Sequence, residues 1–593
     1  MRKFVFIAVA LLWASGAAAQ EAADAVAPEL GGAGAVATSP AVADALRHKQ
    51  AGQPVVGDDW MVVAAHPLAV EAGAKVLRSG GTAADAMIAV QLVLGLVEPQ
   101  SSGLGGGAFL VWWDAQSRSL TTLDGRETAP LAATPRMFQS ADGEPMDFFK
   151  AVPGGLSVGT PGTPALLHEA HQRWGKSAWP TLFDDAIRLA EDGFTVTERL
   201  HKSVAREALT FAPFPETVAY FLPDGAPVAV GQTLRNPAYA ETLRDYSAHG
   251  PGVFYTGEIG KQIVRAVQNA PYNPGLLSDL DLAIYQVRER AAVCAPYRGH
   301  DICGMGPPSS GALTVGQTLG LLSGFDLAAM GLDSAVARRL IGDASRLAFA
   351  DRGRYMADSD YVPVPVEGLL APGYLADRAE LLKGDDALPE VTAGMPEFDH
   401  ALNWADGDAI ELPSTSHIVI VDSYGNALSM TTTIESAFGS RLMVAGFLLN
   451  NELTDFSFRS HRDGVPVANR VEPGKRPRSS MAPTIVLKDA APVLLIGSPG
   501  GSRIIPYVAN AIIAHLDWGL DVQRATALAH MVNRFGTYDL EAGTRAETLA
   551  DPLRAMGYEV KLRDLTSGLH AISVGEVLRG GADPRREGVA LGE

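Results

Sequence analysis

Two threonines eighteen positions apart, Thr415 and Thr433, could do nucleophilic chemistry in this 593-residue chain. Ser414-Thr415-Ser416 leads directly into His417-Ile418-Val419-Ile420-Val421-Asp422, an apolar, β-branched run that reads as a buried strand. Tyr424-Gly425-Asn426 makes a turn, and Ala427 to Thr433 reads as the returning strand of a hairpin. The hairpin brings the two threonines together at its open end. A threonine hydroxyl there becomes an effective nucleophile once the chain is cut in front of it, because its own freed α-amine can take the proton. Threonine also begins many ordinary strands, so the rest of the chain has to decide.

The rest of the chain carries an ordered set of motifs. TSH is followed by DSYGNA, TIESAFGS, GFLLNNE, TDFS, KRPRSSMAPTIV and GSPGGSRI, and upstream stand PQSSGLGGGAFL and DGRETAP. Together, from about Asp59 to Arg503, they resemble the γ-glutamyltranspeptidases, or glutathione hydrolases, of the N-terminal-nucleophile hydrolase superfamily. The resemblance implies an α+β fold, a four-layer αββα sandwich with an extra helical region in the large subunit. It also implies a self-inflicted cut between Ser414 and Thr415, giving a large subunit (20–414) and a small one (415–593) that stay together as a heterodimer.

The same resemblance assigns roles. Thr415 is the nucleophile, and Thr433 hydrogen-bonds and orients it. Gly500 and Gly501, within Ser498-Pro499-Gly500-Gly501-Ser502, match an oxyanion hole, where backbone N–H groups would face a developing alkoxide. Taken alone, the same glycines would be an ordinary turn before a helix. A γ-glutamyl donor presents an α-carboxylate and an α-ammonium. Arg126 matches the carboxylate-binding arginine, whose planar fork suits a bidentate contact, and Ser479 and Ser480 match the pair donating to the same carboxylate. Asp455 matches the acid that pairs with the ammonium, and Glu452 stands where the family has Gln or Glu.

Two departures stand out. Glu435 occupies a position that is usually Asn, so Glu435, Glu452 and Asp455 would crowd three carboxylates around one ammonium. Like charges that close raise at least one pKa. The loop from Phe456 to Pro473 contains no Tyr, whereas many bacterial members close the pocket with one; a more open pocket is expected.

The implied activity is hydrolysis of glutathione and other γ-glutamyl amides, or transfer to an amino acid or peptide, through a γ-glutamyl-Thr415 ester. An acylase for glutaryl or cephalosporin-type side chains is the enzymatic alternative. An inactive exported binding protein of the same fold is the alternative from another class, and it would require an uncut, inert chain. No metal or organic cofactor is implied.

Around these residues, Met61 to Ala65 reads as a strand, Pro67 to Leu77 as a helix, and Thr82 as the cap of a buried helix from Ala83 to Val97. Ser101 to Ala108 fits a dinucleotide-binding glycine pattern, but a helix precedes it and the β-like Phe109 to Trp113 follows. That order is reversed from what the motif needs, so a dinucleotide site is rejected; the glycines instead permit close backbone packing. Helices are expected at Asp184–Asp192, Asn236–Ser247, Gly257–Asn269, Gly311–Leu322 and Ala335–Ala350. Phe456 to Arg476 reads as a loop, Ala491 to Gly497 as a strand and Ile504 to Asp517 as a buried helix. Segments Val522–Met531 and Ala546–Met556, with two short strands, complete the chain. Residues 20–50 read as a poorly ordered leader. The alternation suits two sheets between helical layers, although periodicity alone fits other α/β arrangements.

The net charge is −19 with no basic run, which argues against nucleic acid and anionic membranes as partners. Arg2 and Lys3, the apolar Phe4 to Trp13 and Ala17-Ala18-Ala19 read as an export signal over 1–19, placing the mature protein in the periplasm or outside the cell. Two cysteines are present. With Arg298-Gly299 as a hairpin turn, Cys294 and Cys303 fall opposite each other on a non-hydrogen-bonded pair, where a disulfide is permitted. Two buried thiols remain the alternative, and two cysteines are too few for a structural zinc site.

Overall fold

The computed structural model describes residues 20–24, 36–398, 400 and 403–593; the stretch read as an export signal lies outside them. Two seven-stranded antiparallel sheets form its centre. One runs in the order Val589–Gly592, Met61–Ala64, Ser416–Val421, Ala427–Thr433, Gly107–Asp114, Ser119–Gly125, Arg288–Arg290. The other runs Val55–Gly57, Leu578–Ala582, His570–Val574, Ala491–Gly497, Thr484–Lys488, His300–Gly304, Val293–Tyr297.

Successive side chains on a strand point to opposite faces, and here both faces are covered. Met61, Val63, Val419 and Val421 pack between the sheets with Ile485, Leu495 and Ile572. Their neighbours Val62, Ala64, Ile418 and Ile420 face an outer helical layer that includes Pro67–Arg78 and Ala83–Val97. On the far side, Val486, Leu494 and Ile496 pack against Gly311–Leu322, Ala335–Tyr355 and Ile504–Leu516. Helix, sheet, sheet, helix is the expected four-layer order. Burial on both faces explains why the central strands read as unbroken apolar runs. A further helical region, from Thr163–Trp174 to Glu258–Gln268, extends the first helical layer.

The expected elements from Met61 to Val97 are present, with His66 and Thr82 as helix caps and Asp85 completing a capping box. The Arg298-Gly299 hairpin pairs Cys294 with Cys303, and a disulfide joins them.

Three expectations need correction. Residues 40–50 are not a loose leader: Ser39 caps a helix over Pro40–Gln50 whose Val42 and Ala45 are buried. Gln20 to Asp24 is helical as well, and Gln20, Ala23 and Asp24 are buried. The tail holds more strands than two, because Met531 starts a strand and six short strands lie beyond Leu516. These are short and partly glycine-bearing, and Val589–Gly592 pairs with Met61–Ala64 from the far end of the chain, so no long apolar run announces them. Finally, the Phe456–Arg476 stretch contains a small hairpin, His461–Arg462 against Val465–Pro466. Among the described residues no helix is long and apolar enough to cross a membrane.

Candidate active site

The central hairpin is tied at its closed end by one side chain. Asp422 accepts from the backbone N–H groups of Tyr424 (3.0 Å) and Asn426 (2.9 Å) and from the Asn426 amide (3.0 Å), and Gly425 takes φ +82°. Pairing Ser416 with Thr432 then sets the register, and one step further Thr415 faces Thr433. Their hydroxyl oxygens lie 3.3 Å apart. Thr433 Oγ1 also donates to the Ser414 carbonyl at 3.0 Å and accepts from the Glu435 N–H at 2.9 Å. Thr415 Oγ1 is hydrogen-bonded to that same Ser414 carbonyl. Ser414 is held in turn by its own hydroxyl, which donates to the Gln100 carbonyl at 2.6 Å. Both threonines are buried.

A narrow pocket of about 20 Å3 opens beside Thr415 and Thr433. It is lined by Arg126, Glu435, Glu452, Asp455, Ser479, Ser480 and Gly501, so all but one of the expected substrate and catalytic residues outside the threonines meet there. Gly500 forms the turn ahead of Gly501; their φ values of +135° and +55° explain two consecutive glycines. Cys294 and Cys303 lie elsewhere, at the edge of the other sheet.

The charges in this pocket are interlocked. Arg126, at the end of Ser119–Gly125, is buried. It pairs with Glu452 and, at 2.5 Å, with Asp455, and it donates to the Pro477 and Arg478 carbonyls at 3.2 and 2.8 Å. A short helical turn, Glu452–Asp455, presents both acids to it. Burial alone would weaken the Arg126 guanidinium as a base, but Glu452, Asp455 and Glu127 overcome that and raise its pKa. Burial raises Asp455 well above the usual carboxylate range, opposed by Arg126 and reinforced by Glu435, Glu411 and Glu452. Glu435 does point inward. Its Oε1 accepts from the Leu412 N–H at 3.0 Å and its Oε2 from the Asn451 amide at 2.5 Å. Burial, and then the neighbouring Glu452, push its carboxyl up to about 8. One of the crowded acids is thus held neutral at pH 7. Ser479 Oγ accepts from the Met481 N–H at 3.1 Å, while Ser480 Oγ donates to Glu411 and accepts from Arg352 at 2.7 Å.

Sequence reading passed over Glu411, Arg352 and Arg478. Arg478 stands inside the KRPRSSMAPTIV motif and Arg352 near the end of the helix Ala335–Tyr355, but neither carried an assigned role. Glu411, Leu412 and Ser414 roof the pocket. The loop expected to govern access does not line it; that loop packs on the stretch around Ala405, whose N–H donates to the Pro466 carbonyl at 2.9 Å. In the uncut chain, access to Thr415 is therefore set by the residues just ahead of it.

A family model described as Gamma-glutamyltranspeptidase matches residues 69–593. A glutathione hydrolase proenzyme of Bacillus subtilis (strain 168) is 36% identical, covering 91% of this chain and 92% of its own length. An Acylase ACY 1 proenzyme of Pseudomonas sp. (strain SE83) is 32% identical over 90% of this chain and 92% of its own. The crystal structure of a cephalosporin acylase from Bacillus halodurans superposes with a TM-score of 0.80 at 25% identity, over 91% of this chain and 97% of that one.

Proposed function

This chain belongs to the γ-glutamyltranspeptidase family, and from that premise we propose that it is a self-processing enzyme that hydrolyses or transfers γ-glutamyl groups with Thr415 as nucleophile. The observation that carries the reading is the convergence of the Thr415 and Thr433 hydroxyls on the Ser414 carbonyl. Thr433 polarises that carbonyl while Thr415 Oγ1 attacks its carbon. The Ser414–Thr415 C–N bond breaks, the proton passes to the departing Thr415 nitrogen, and an ester joins Ser414 to Thr415. Water hydrolyses the ester, leaving a Ser414 carboxylate and a free Thr415 amine. That amine then serves as base when Thr415 Oγ1 attacks a donor amide. The acyl-Thr415 ester passes its γ-glutamyl group to water or to an amino acid or peptide. The Gly500–Gly501 turn supplies backbone N–H groups to the oxyanion, a contribution typically worth about 3–4 kcal/mol per donor. Asp455, Glu452 and Glu435 receive the donor ammonium, Ser479 and Ser480 its carboxylate. The segment 1–19 directs export, and the subunits are 20–414 and 415–593.

A denaturing gel of the mature protein beside its Thr415→Ala variant tests this. Scaling 62.4 kDa by length, the cut gives pieces of about 42 and about 19 kDa. Two bands in the parent and one in the variant are expected. A single band in both would leave Thr415 without a base and end the reading.

A second reading, an acylase for amides whose acyl group lacks the ammonium, draws on Glu435, which replaces an amide and is held neutral. Comparing γ-glutamyl with glutaryl chromogenic amides separates the two, since only the former uses an ammonium site.

A further inference from the structure

Behind the pocket wall lie two buried arginines whose shared counter-ion sits on the segment destined to leave. Arg352 Nη2 donates to Glu411 Oε1 and, at 2.7 Å, to Ser480 Oγ, while its Nε donates to Ser310 Oγ at 2.7 Å. Arg478 Nη2 lies 3.5 Å from the same Glu411 oxygen, and Ser480 Oγ donates to the other one. Among the described residues, Glu411 is the one carboxylate within 4.0 Å of either guanidinium. Glu411, Arg352, Arg478 and Ser480 are all buried. Arg126, the arginine that family resemblance assigns to the donor carboxylate, already faces Glu452 and Asp455.

For a donor to react, its carbonyl must occupy the place that the Ser414 carbonyl holds in the uncut chain. Ser414 and the residues just before it must therefore withdraw after the cut, and Glu411 stands three positions ahead of Ser414. Withdrawal takes the close counter-charge from two buried guanidinium groups, leaving Asp455 as a more distant one beside Arg478, and a buried charge without a close partner is costly. A carboxylate entering from the donor restores the same contacts: two guanidinium groups and the Ser480 hydroxyl. We propose that Arg352, Arg478 and Ser480 form a carboxylate subsite that Glu411 fills until the chain is cut, and that the acyl donor's own carboxylate takes its place afterwards. Glu411 is then a built-in stand-in for the substrate carboxylate, and the donor class is an amide whose acyl chain ends in a carboxylate, γ-glutamyl and glutaryl alike. The inference rests on the reading of Thr415 as a nucleophile freed by cutting.

The test begins with the uncut chain, where no turnover is needed. The Thr415→Ala variant should melt at the same temperature with or without L-glutamate or glutarate. Adding Glu411→Ala should create a saturable stabilisation by both ligands and none by glutaramide, the neutral diamide of the same carbon chain; a third change, Arg478→Met, should abolish it. Double and single variants that respond alike would overturn the proposal. Kinetics of the cut enzyme give a second readout that does not depend on the Glu411 variant folding. Arg478→Met should raise KM for γ-glutamyl and glutaryl anilides by about tenfold or more, the loss of one charge-assisted contact, with little change in kcat. A normally cut, active Arg478→Met enzyme with the parental KM would sink the subsite and leave the proposed function standing. A parent inert towards every donor would sink the proposed function, and the melting experiments would still decide the exchange of Glu411 for a free carboxylate.

Discussion

Glu435 departs from an ordinary surface glutamate in both its backbone and its charge. It sits at φ +75°, a strained backbone for a glutamate, and both its oxygens accept hydrogen bonds, which favours the ionised form. Burial and Glu452 outweigh those bonds and leave it titrating near 8. In the unfolded chain the same carboxyl titrates in the ordinary range, so between roughly pH 4.5 and 8 the folded state binds more protons. The stabilisation is complete below that window and disappears as pH rises through it. From pH 5 to pH 8 the uncut Thr415→Ala chain should therefore lose more thermal stability, or gain less, than the same chain carrying Glu435→Gln. Asp455, Glu452, Glu127 and Glu587 are raised as well and add to the slope, while the buried His417, His530 and His570, held below their usual range, oppose it. Equal slopes in the two variants would mean that Glu435 is ionised throughout. At this scale the sequence was readable where a residue stands in a motif: Thr415, Arg126, Asp455 and even the exceptional Glu435 could be named. It was silent about Glu411, because an ion pair linking residues 352 and 411 leaves no periodicity and no local pattern.

Elements were legible in proportion to how much of their stabilisation is local. The hairpin carrying the threonines announces itself through an apolar run, a turn with its Asp–Asn tie and a second run. The helix from Ala83 to Val97 does so through its capping box. The glycine stretch before Gly107–Asp114 was readable as a place of close packing, though not for which partner. Gly106 gives the answer, because a Cβ there would lie 2.0 Å from the Thr433 carbonyl oxygen and 2.8 Å from the Ile434 side chain. The backbone ahead of one strand thus presses directly on Thr433, the residue proposed to align the nucleophile. Gly106→Ala must push the end of Ala427–Thr433 aside, and overpacking of this kind costs about 1–3 kcal/mol. The expected result is a folded chain that cuts itself at least about tenfold more slowly, since a displacement near 1 Å is enough to spoil such an alignment. Following the appearance of the small piece over time on denaturing gels measures it. Cutting at the parental rate would show that Thr433 tolerates the shift.

At the scale of the whole molecule, the proposed cut divides neither sheet into separate halves. Residues before Thr415 supply Met61–Ala64, which is flanked on one side by Val589–Gly592 and on the other by Ser416–Val421, both from beyond the cut. Ala427–Thr433 pairs with Gly107–Asp114, Thr484–Lys488 with His300–Gly304, and Leu578–Ala582 with Val55–Gly57. Five ladders across two sheets therefore join the two pieces, and the apolar layer between the sheets draws on both. None of this pairing could be read locally, because Met61 and Gly592 are neighbours separated by nearly the whole chain. Its consequence is mechanical. Neither piece keeps a complete sheet alone, and a strand edge exposed by separation would leave unpaired backbone groups and open apolar surface. The cut enzyme should elute from a sizing column as one species, and in a urea titration the small piece should be released only as the circular-dichroism signal of the sheets is lost. Release of a folded small piece below that transition would mean that the ladders crossing the cut contribute little, and that the two pieces are domains in contact rather than one fold in two chains.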